Sequence, residues 1–307
     1  MKAMVFEGLG GELEYRDVPD PVAEADQVVV EIHAASVNPA DHKLREGYYG
    51  GRYPIQSPHI SGRDFSGVVQ SLGDGVTDFA LGDEVFGVMD VGREGTYAEL
   101  VAEKASLLAR KPDFLSHPEA ATLALTGLTA IISLEAGRLQ AGEKILIQGG
   151  AGGVGSFGVQ FAKHIGAHVV TTASARNHDY LKGMRTDEVI DYNKVDFRDA
   201  VSDCDVVYDT VGLETHRLSY DVLKPGGRMV YVSPQPEDFE IPRDDVEVIR
   251  PNVGRSREVL ERIIALAESG AVKIPDIETM PLTEAVAAQE KSKTGHVRGK
   301  IVLEAKG

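Results

Sequence analysis

A glycine cluster stands between two short apolar runs near the middle of this 307-residue chain. The run Lys144–Gln148 precedes the cluster, and an amphipathic segment and the run His168–Thr172 follow it. This order predicts a strand, a tight turn, a helix and a second strand, with the glycines in a G-x-G-x-x-G pattern at the turn. A dinucleotide pyrophosphate would lie at the helix N-terminus; the alternative is a purely structural turn. Gly150 would allow the tight turn, Gly152 the close approach of the pyrophosphate, and Gly155 the packing of the helix against the strand. The cofactor-binding residues expected here are Gly150, Ala151, Gly152, Gly153, Val154 and Gly155.

The end of the second apolar run favours NADPH over NADH. In NAD sites, a carboxylate about 20 residues after the glycines binds the ribose 2′-hydroxyl. Here that place holds Ser174 and Arg176, and the next carboxylate is Asp179. A hydroxyl and a guanidinium suit a 2′-phosphate. We therefore expect NADPH as the cofactor, the alternative being that Arg176 is an ordinary surface charge.

Composition argues against several partners. The net charge of −16 disfavours nucleic acid and anionic membranes. No apolar run approaches the length of a membrane span, and the N-terminus lacks the apolar core of a signal peptide, so we expect a cytoplasmic protein. The single cysteine, Cys204, cannot form an internal disulfide or a thiolate zinc cluster, and the nine histidines lack paired ligand spacing. We expect no metal.

The pattern of predicted secondary structure changes near residue 118. Residues 1–118 alternate short β runs with Gly and Pro turns, which predicts a mostly antiparallel, partly closed β domain. Residues 119–270 alternate β and α segments, which predicts an α/β domain with a doubly wound parallel sheet. Residues 271–307 are too short for a core of their own, and we expect them to return to the first domain. The strands predicted in the α/β domain are Lys144–Gln148, His168–Thr172, Glu188–Ile190, Val206–Asp209, Arg228–Val232 and Glu247–Ile249.

A series of motifs runs in order along almost the whole chain. They include N-P-A-D-H-K-L-R-E-G at 38–47, G-R-D-F-S-G-V-V at 62–69, G-D-E-V-F-G at 82–87, L-T-G-L-T-A at 125–130 and G-K-I-V-L at 299–303. With the glycine turn, this series resembles the zinc-free quinone oxidoreductase branch of the medium-chain dehydrogenase/reductase superfamily. The resemblance implies a GroES-like β-barrel domain, a Rossmann domain and a homodimer. It also implies hydride transfer in the cleft between the domains.

Departures from the superfamily's zinc enzymes narrow the chemistry. Those enzymes place a zinc-ligating Cys at the position of Asn38 and a G-H-E at the position of Gly62-Arg63-Asp64, and they carry a four-cysteine loop that this chain lacks. The resemblance therefore implies a zinc-independent enzyme. Without a Lewis acid to polarise an alcohol oxygen, the expected substrate is already electrophilic: a quinone or an α,β-unsaturated carbonyl.

The segment from Asn38 to Tyr49 is most similar to alkenal/enone and furanone reductases. In those enzymes a lysine at the position of Lys43 lies near the substrate carbonyl, where its ammonium would stabilise an enolate; the alternative is a surface lysine. Tyr49 matches a tyrosine of the substrate cleft and could donate a proton, although Tyr48 and Tyr53 compete for that role. Asn38 matches a position near the nicotinamide, where its amide could bond the cofactor or the substrate; the alternative is an Asn-Pro turn.

The same matching implies further cofactor contacts, at Thr126 beside the nicotinamide, at Tyr192 near the 2′-phosphate, and at Val211, Gly212 and Ser233 after two strands of the sheet. The sequence thus predicts NADPH-dependent, zinc-independent reduction of quinones or α,β-unsaturated carbonyls. The alternatives are a reductase of enoyl thioesters and an NADPH-binding redox sensor with little catalysis.

Overall fold

The computed structural model describes residues 1–49, 55, 57–89, 92–93 and 95–305. The chain divides into two compact units: Met1–Leu125 with Arg255–Ile264 and Asp276–Gly307, and Thr126–Gly254 with Ala265–Pro275. We predicted the first boundary at residue 118, and the units divide seven residues later, inside one long helix.

The elements of the N-terminal part are short strands with one brief helix before the long helix. They are β1 (Lys2–Phe6), β2 (Glu14–Asp17), β3 (Gln27–Ser36), α1 (Pro39–Arg45), β4 (His59–Ile60), β5 (Asp64–Leu72), β6 (Glu84–Val88), β7 (Leu100–Lys104), β8 (Leu108–Arg110) and α2 (His117–Ala136).

Alternating strands and helices follow, and then the C-terminal tail. They are β9 (Lys144–Gln148), α3 (Gly153–Ile165), β10 (His168–Ala173), α4 (His178–Gly183), β11 (Glu188–Asp191), α5 (Phe197–Ala200), β12 (Cys204–Asp209), α6 (Leu213–Leu218), β13 (Leu223–Tyr231), β14 (Glu247–Ile249), α7 (Arg257–Glu268), β15 (Ile277–Pro281), α8 (Ala285–Lys293) and β16 (Lys300–Glu304).

The described residues of the first unit form two sheets. The larger has the order β15-β16-β3-β5-β6-β8, with β7 also paired to β3, and the smaller has the order β2-β1-β4. Every pair is antiparallel except β15 with β16, as the sequence predicted for a mostly antiparallel domain. Within the described residues, the order of the larger sheet is open at both ends.

The C-terminal tail inserts its last strand into the larger sheet. Strand β16 pairs with the end of β3, so that Val302 lies opposite Ser36 and Leu303 opposite Ala35. The apolar side chains of both strands are buried, which is the physical reason the tail returns to this sheet. The pairing also carries Lys300 to the start of α1, where the candidate site begins.

The second unit is built on a six-stranded parallel sheet. Its order is β11-β10-β9-β12-β13-β14, which is the 3-2-1-4-5-6 order of doubly wound dinucleotide-binding folds. All five pairings are parallel, and all six strands were predicted, although β13 begins earlier, at Leu223. The order reverses between β9 and β12, and ligands of such sheets bind at the carboxyl ends beside this point.

Helix α2 corrects one prediction. We expected no apolar run of membrane-spanning length, yet this twenty-residue helix has a mean hydropathy of 1.3 and is, among the described residues, the one helix long and apolar enough to span a membrane. In the fold, 72% of the apolar 18-residue stretch of this helix is buried. A core helix of a globular protein passes the same test of length and composition, because it is apolar on all faces. The helix is therefore weak evidence for a membrane.

Candidate active site

Helix α1 begins where its sequence supplies a start signal. Asn38 is the N-cap, and Pro39 occupies the first turn, where its missing N–H costs nothing. Asp41, three residues after the cap, accepts the Asn38 backbone N–H at 2.9 Å, as the third helical residue does in a capping box. The helix runs only to Arg45, so it serves mainly to present its side chains in a defined orientation.

Lys43 is a half-buried cation of this helix. Burial lowers the pKa of its ammonium, and the nearby Glu46 carboxylate partly opposes that shift. Within the described part of the chain, the structure gives this ammonium no hydrogen bond or salt bridge; its close contact is the ring of Tyr48, whose centroid lies 5.7 Å away. A cation held in this way is available to an oxyanion.

Two tyrosines follow the helix, and both are placed by aromatic contacts. Tyr48 is 54% exposed and meets Tyr49 edge to face, with ring centroids 5.4 Å apart. Tyr49 is half-buried, and the guanidinium of Arg63 lies 5.9 Å from its ring centroid. The aromatic pair thus stands between two cations, Lys43 and Arg63. Tyr53, the third candidate, lies outside the described residues.

The side chain of Asn38 belongs to a buried polar network. Its amide nitrogen donates to the Ser36 carbonyl at 3.2 Å and to the Asp64 carboxylate at 2.8 Å. Its amide oxygen accepts from the Lys300 ammonium at 2.8 Å, which also donates to the Val37 carbonyl at 2.7 Å. Both amide hydrogens of Asn38 are therefore committed inside the protein. This geometry makes Asn38 the group that joins α1 to β5 and β16.

The network balances two buried carboxylates against two cations. Burial raises the pKa of Asp64 while Lys300 opposes that shift, and burial lowers the pKa of Lys300 itself. Burial also raises the pKa of Asp41 to about 6, against the nearby Arg63, whose Nε lies 3.6 Å from the carboxylate. The Tyr97 hydroxyl donates to Asp41 at 2.7 Å. Sequence analysis placed Arg63 and Asp64 at zinc-ligand positions and Asp41 and Lys300 within motifs, but it did not predict that these residues form one cluster.

The cluster bears on the question of zinc. Asn38 is an amide already hydrogen-bonded to Asp64, and Arg63 is a cation beside Asp41. Neither side chain is a ligand that zinc prefers. Across the residues that the structure describes, His, Cys, Asp and Glu side chains form no group of three able to hold a metal ion. Zinc independence remains a prediction, and the residue types support it.

The glycine turn has a tighter construction than the sequence pattern alone conveys. We expected Gly150 to allow the turn, but the residue with a left-handed backbone is Gly149, with φ of +76°. A Cβ on Gly150 would lie 2.1 Å from the Thr171 hydroxyl oxygen, so Gly150 is needed for close packing against β10. A Cβ on Gly155 would lie 2.3 Å from the Gly149 carbonyl oxygen, so helix α3 packs directly on the turn.

Gly152 differs from its neighbours. A Cβ placed on it would meet only the Gly149 carbonyl oxygen, at 3.5 Å, and would otherwise point into open space. Gly152 is the N-cap of α3, whose first-turn amides have no partner within the helix. The space that a side chain would fill therefore adjoins amide donors and the positive end of the helix dipole. This arrangement fits an anionic pyrophosphate, which the amides of Gly153, Val154 and Gly155 would hold.

The residues predicted to bind a 2′-phosphate lie at one edge of the sheet. Ala173 of β10 lies opposite Asp191 of β11, so Ser174 and Tyr192 follow neighbouring strands in the same register. Arg176 is exposed on the short turn that Ser174 opens, and Tyr192 is 47% exposed. The structure thus places the three residues after the carboxyl ends of two neighbouring strands, although they are up to 18 positions apart in the sequence.

The remaining predicted cofactor residues lie around the second half of the sheet or on α2. Val211 and Gly212 follow β12, and Ser233 follows β13, at the carboxyl edge. Thr126 lies buried within α2. Sequence reasoning missed Asp209, the last residue of β12, whose carboxylate accepts the backbone N–H groups of both Val211 and Gly212 at 2.9 Å. A signal was available, since an Asp ending a buried strand needs local donors.

The fold and the glycine turn define a dinucleotide-binding protein with a second, mostly antiparallel unit. The family of alcohol dehydrogenase GroES-like domains matches residues 24–113, and the zinc-binding dehydrogenase family matches residues 184–303. The chain belongs to the medium-chain dehydrogenase/reductase superfamily, in its quinone oxidoreductase branch.

Individual relatives agree with this placement. The chain is 36% identical to 2-methylene-furan-3-one reductase of Solanum lycopersicum, over 94% of this chain and 74% of that protein. It is 33% identical to the chloroplastic NADPH-dependent alkenal/one oxidoreductase of Arabidopsis thaliana, over 99% of this chain and 79% of that protein. The solved structure of the quinone oxidoreductase from Coxiella burnetii matches with a TM-score of 0.88 and 33% identity, over 100% of this chain and 99% of that one.

Proposed function

We propose that this protein is an NADPH-dependent, zinc-independent reductase of quinones or α,β-unsaturated carbonyls. The observation that carries the proposal is the half-buried Lys43 ammonium, which has no hydrogen bond or salt bridge within the described residues, in a chain that also has the dinucleotide turn. Relatives named as a furanone reductase, an NADPH-dependent alkenal/one oxidoreductase and a quinone oxidoreductase support the reaction class.

The nucleotide unit supplies the binding groups. The amides at the start of α3 hold the pyrophosphate, and Gly152 leaves room for it. Ser174, Arg176 and Tyr192 hold the 2′-phosphate, and the guanidinium supplies a local positive charge for this anion in a chain whose net charge is −16. When bound, NADPH supplies the hydride.

The first unit supplies the groups for the substrate. Reduction of an enone or a quinone places negative charge on a carbonyl oxygen, and the Lys43 ammonium stabilises that charge. Tyr49 is the candidate proton donor, with solvent as the other source of the proton. Asn38 holds the start of α1 through its bonds to Asp64 and Lys300, and thereby orients Lys43.

An assay of NADPH oxidation tests the proposal. The purified protein is given a quinone, a short enone or enal, and an enoyl thioester, each with NADPH and with NADH, before and after exhaustive treatment with a chelator. The proposal requires turnover of a quinone or an enone, preference for NADPH and no loss on chelation. Preference for the thioester would support an enoyl-thioester reductase. Tight NADPH binding without turnover of any acceptor would support a redox sensor.

The proposal extends to assembly and location. Strands β11 and β14 end the parallel sheet, and a homodimer through edge strands of this unit is the arrangement expected from the family. The charge of −16 supports a cytoplasmic protein that binds neither nucleic acid nor membranes. Light scattering of the purified protein measures the oligomeric state, and cell fractionation measures the location; a monomer or a membrane-bound fraction would contradict this part.

A further inference from the structure

We propose that His216 is a positioning residue for the nicotinamide half of NADPH, and that it acts through the buried carboxylate of Asp209. The inference rests on the proposed function, because it concerns the same cofactor. It assigns a role to a fully buried residue of α6 that lies outside the glycine turn.

The location of the pair indicates which half of the cofactor is involved. The glycine turn and the Ser174 edge belong to the first three strands of the sheet, which bind one mononucleotide. Strands β12 and β13 belong to the second mononucleotide half, beyond the point where the strand order reverses. If the 2′-phosphate and adenosine occupy the first half, the nicotinamide ribose occupies the second.

Asp209 shapes both loops at this second half. One carboxylate oxygen accepts the backbone N–H groups of Val211 and Gly212, each at 2.9 Å. The other oxygen is bonded by the Ser233 hydroxyl at 3.1 Å and by His216 Nδ1 at 2.9 Å. Asp209 and His216 are both fully buried, so water does not replace a lost bond easily.

The loop after β12 has a backbone conformation that needs stabilising hydrogen bonds. Gly212 has φ of +89°, and the next residue, Leu213, has φ of +51°, which is unfavourable for a residue with a branched side chain. The side chains of Val211 and Leu213 are about half exposed, at 48% and 58%, so burial of the loop's own side chains contributes little. Hydrogen bonds donated by its backbone N–H groups, among them those of Val211 and Gly212 to Asp209, therefore hold the conformation of the loop.

His216 is itself held on all sides. Its ring packs edge to face against the rings of Tyr220, Tyr231 and Phe239, which form an aromatic cluster with centroids 4.9 to 5.5 Å from that of His216. Its Nε2 lies 3.5 Å from the Tyr220 hydroxyl and 3.3 Å from the Gln235 amide nitrogen. Nδ1 therefore carries the hydrogen that Asp209 accepts. The aromatic cluster fixes the ring, the ring fixes the carboxylate, and the carboxylate fixes the loop.

The test compares two ligands that share one end. NADPH extends over both halves of the sheet, whereas adenosine 2′,5′-bisphosphate carries only the adenosine and the 2′-phosphate. For His216→Phe, we expect the Kd of NADPH to rise about tenfold or more, as for loss of a hydrogen bond to a charged group, while the Kd of the bisphosphate changes less than about twofold. The emission of bound NADPH, which reports the surroundings of the nicotinamide, should move toward that of free NADPH.

Two further variants keep the test decisive if His216→Phe does not fold. His216→Asn places an amide N–H near the position of Nδ1 and should retain most of the NADPH affinity. His216→Gln places its amide nearer to Nε2, away from Asp209, and should show the selective loss. Arg217→Ala, at an exposed arginine of the same helix α6 that is paired with Glu214, is the matched control and should leave both Kd values close to wild type.

Two results would overturn the inference: equal weakening of both ligands by His216→Gln, which indicates a structural role only, or unchanged NADPH binding in the Gln and Phe variants. A different result would contradict the proposed function, namely that the wild-type protein does not bind NADPH. Wild-type binding with no selective loss in the variants therefore removes the His216 inference and leaves the proposed function standing.

Discussion

The ammonium of Lys300 lies 2.8 Å from the amide oxygen of Asn38, although the two residues are 262 positions apart in the chain. Both side chains are buried, and the amide nitrogen of Asn38 donates in turn to Asp64. Hydrogen bonds thus link a cation, an amide and a carboxylate at the start of α1, the helix that carries Lys43. The candidate substrate site depends on this contact between the first and the last segments of the chain.

Removal of the buried cation should destabilise the first unit strongly. Lys300→Met leaves the Asp64 carboxylate buried with neutral donors only, which should lower the free energy of unfolding by about 3–5 kcal/mol. The double variant Lys300→Met with Asp64→Asn removes the uncompensated charge and should recover part of the loss. Urea unfolding of the four proteins of this cycle measures the coupling. Strictly additive effects would contradict a charge-paired network.

Loss of the Lys43 cation should impair reduction without unfolding the protein. Lys43→Ala should lower kcat/KM for an enone about 100-fold, as for removal of one oxyanion-stabilising donor. Lys43→Arg keeps the charge and should retain a larger share of the activity. Lys182→Ala, which removes an exposed lysine of the other unit, is the control. A value for Lys43→Ala within twofold of wild type would remove Lys43 from the mechanism.

The cofactor preference should depend on Arg176. Arg176→Ala removes the guanidinium proposed for the 2′-phosphate, and loss of a charge-assisted bond should raise the KM for NADPH about 10- to 100-fold. The KM for NADH should stay the same, since NADH lacks that phosphate. Arg217→Ala, at an exposed arginine paired with Glu214, should alter neither value. Equal changes for both cofactors would contradict the assignment.

Substitutions at two glycines of the turn should affect thermal stability and NADPH binding differently. Gly155→Ala places a methyl group 2.3 Å from the Gly149 carbonyl oxygen, so we expect lower thermal stability as well as weaker NADPH binding. Gly152→Ala meets only one atom, at 3.5 Å, so Tm should change little while the Kd for NADPH rises at least tenfold. Calorimetry and fluorescence titration measure the two quantities. Unchanged binding in Gly152→Ala would place the pyrophosphate elsewhere.

His117 should make the protein sensitive to acid. Burial and the nearby ring of His33, whose centroid is 4.3 Å away, lower the pKa of His117 to about 4, with Lys111 acting in the same direction and Glu84 opposing. The folded state therefore binds fewer protons than the unfolded state between about pH 4 and 6.5. The contribution of neutral His117 to the free energy of unfolding is fully present above pH 6.5. It falls as the pH drops toward 4, by about 3 kcal/mol at most.

The variant His117→Asn tests this dependence. Asparagine cannot titrate, yet its amide can still meet the Ser66 hydroxyl, which lies 2.8 Å from Nδ1 of His117. Urea unfolding at several pH values should show a smaller loss of stability between pH 6.5 and 4 than in wild type. An identical pH dependence in the two proteins would exclude His117 as the cause.

Much of the fold was predictable because its signals are local. A parallel strand buried on both faces is a continuous apolar run between turns, so all six strands of the nucleotide sheet could be located from the sequence. The glycine pattern similarly marked the place where backbone must approach backbone. It did not show that Gly149, rather than Gly150, has the left-handed conformation, because the detailed path of a turn depends on the strands that it joins.

The candidate site was predictable by residue type and less so by contact. Lys43 lies within the motif at 38–47 and Ser174 follows the strand after the glycine turn, so their chemistry could be inferred before their surroundings were known. The involvement of Asn38 with Lys300, and of Asp209 with His216, could not be inferred in this way. A hydrogen bond between residues brought together by folding leaves no periodic trace in the sequence.

The sequence by itself determined the class of fold, the kind of cofactor expected and the absence of zinc-ligating residue types at positions 38 and 63, because each depends on local pattern or on side-chain chemistry. The tertiary structure decided which polar side chains are buried together and which remain available to a ligand. It committed the amide of Asn38 to Asp64 and Lys300, and it left the Lys43 ammonium beside an aromatic ring. The physical reason is that burial makes every unpaired polar group costly, and only the folded chain determines which partners are within reach.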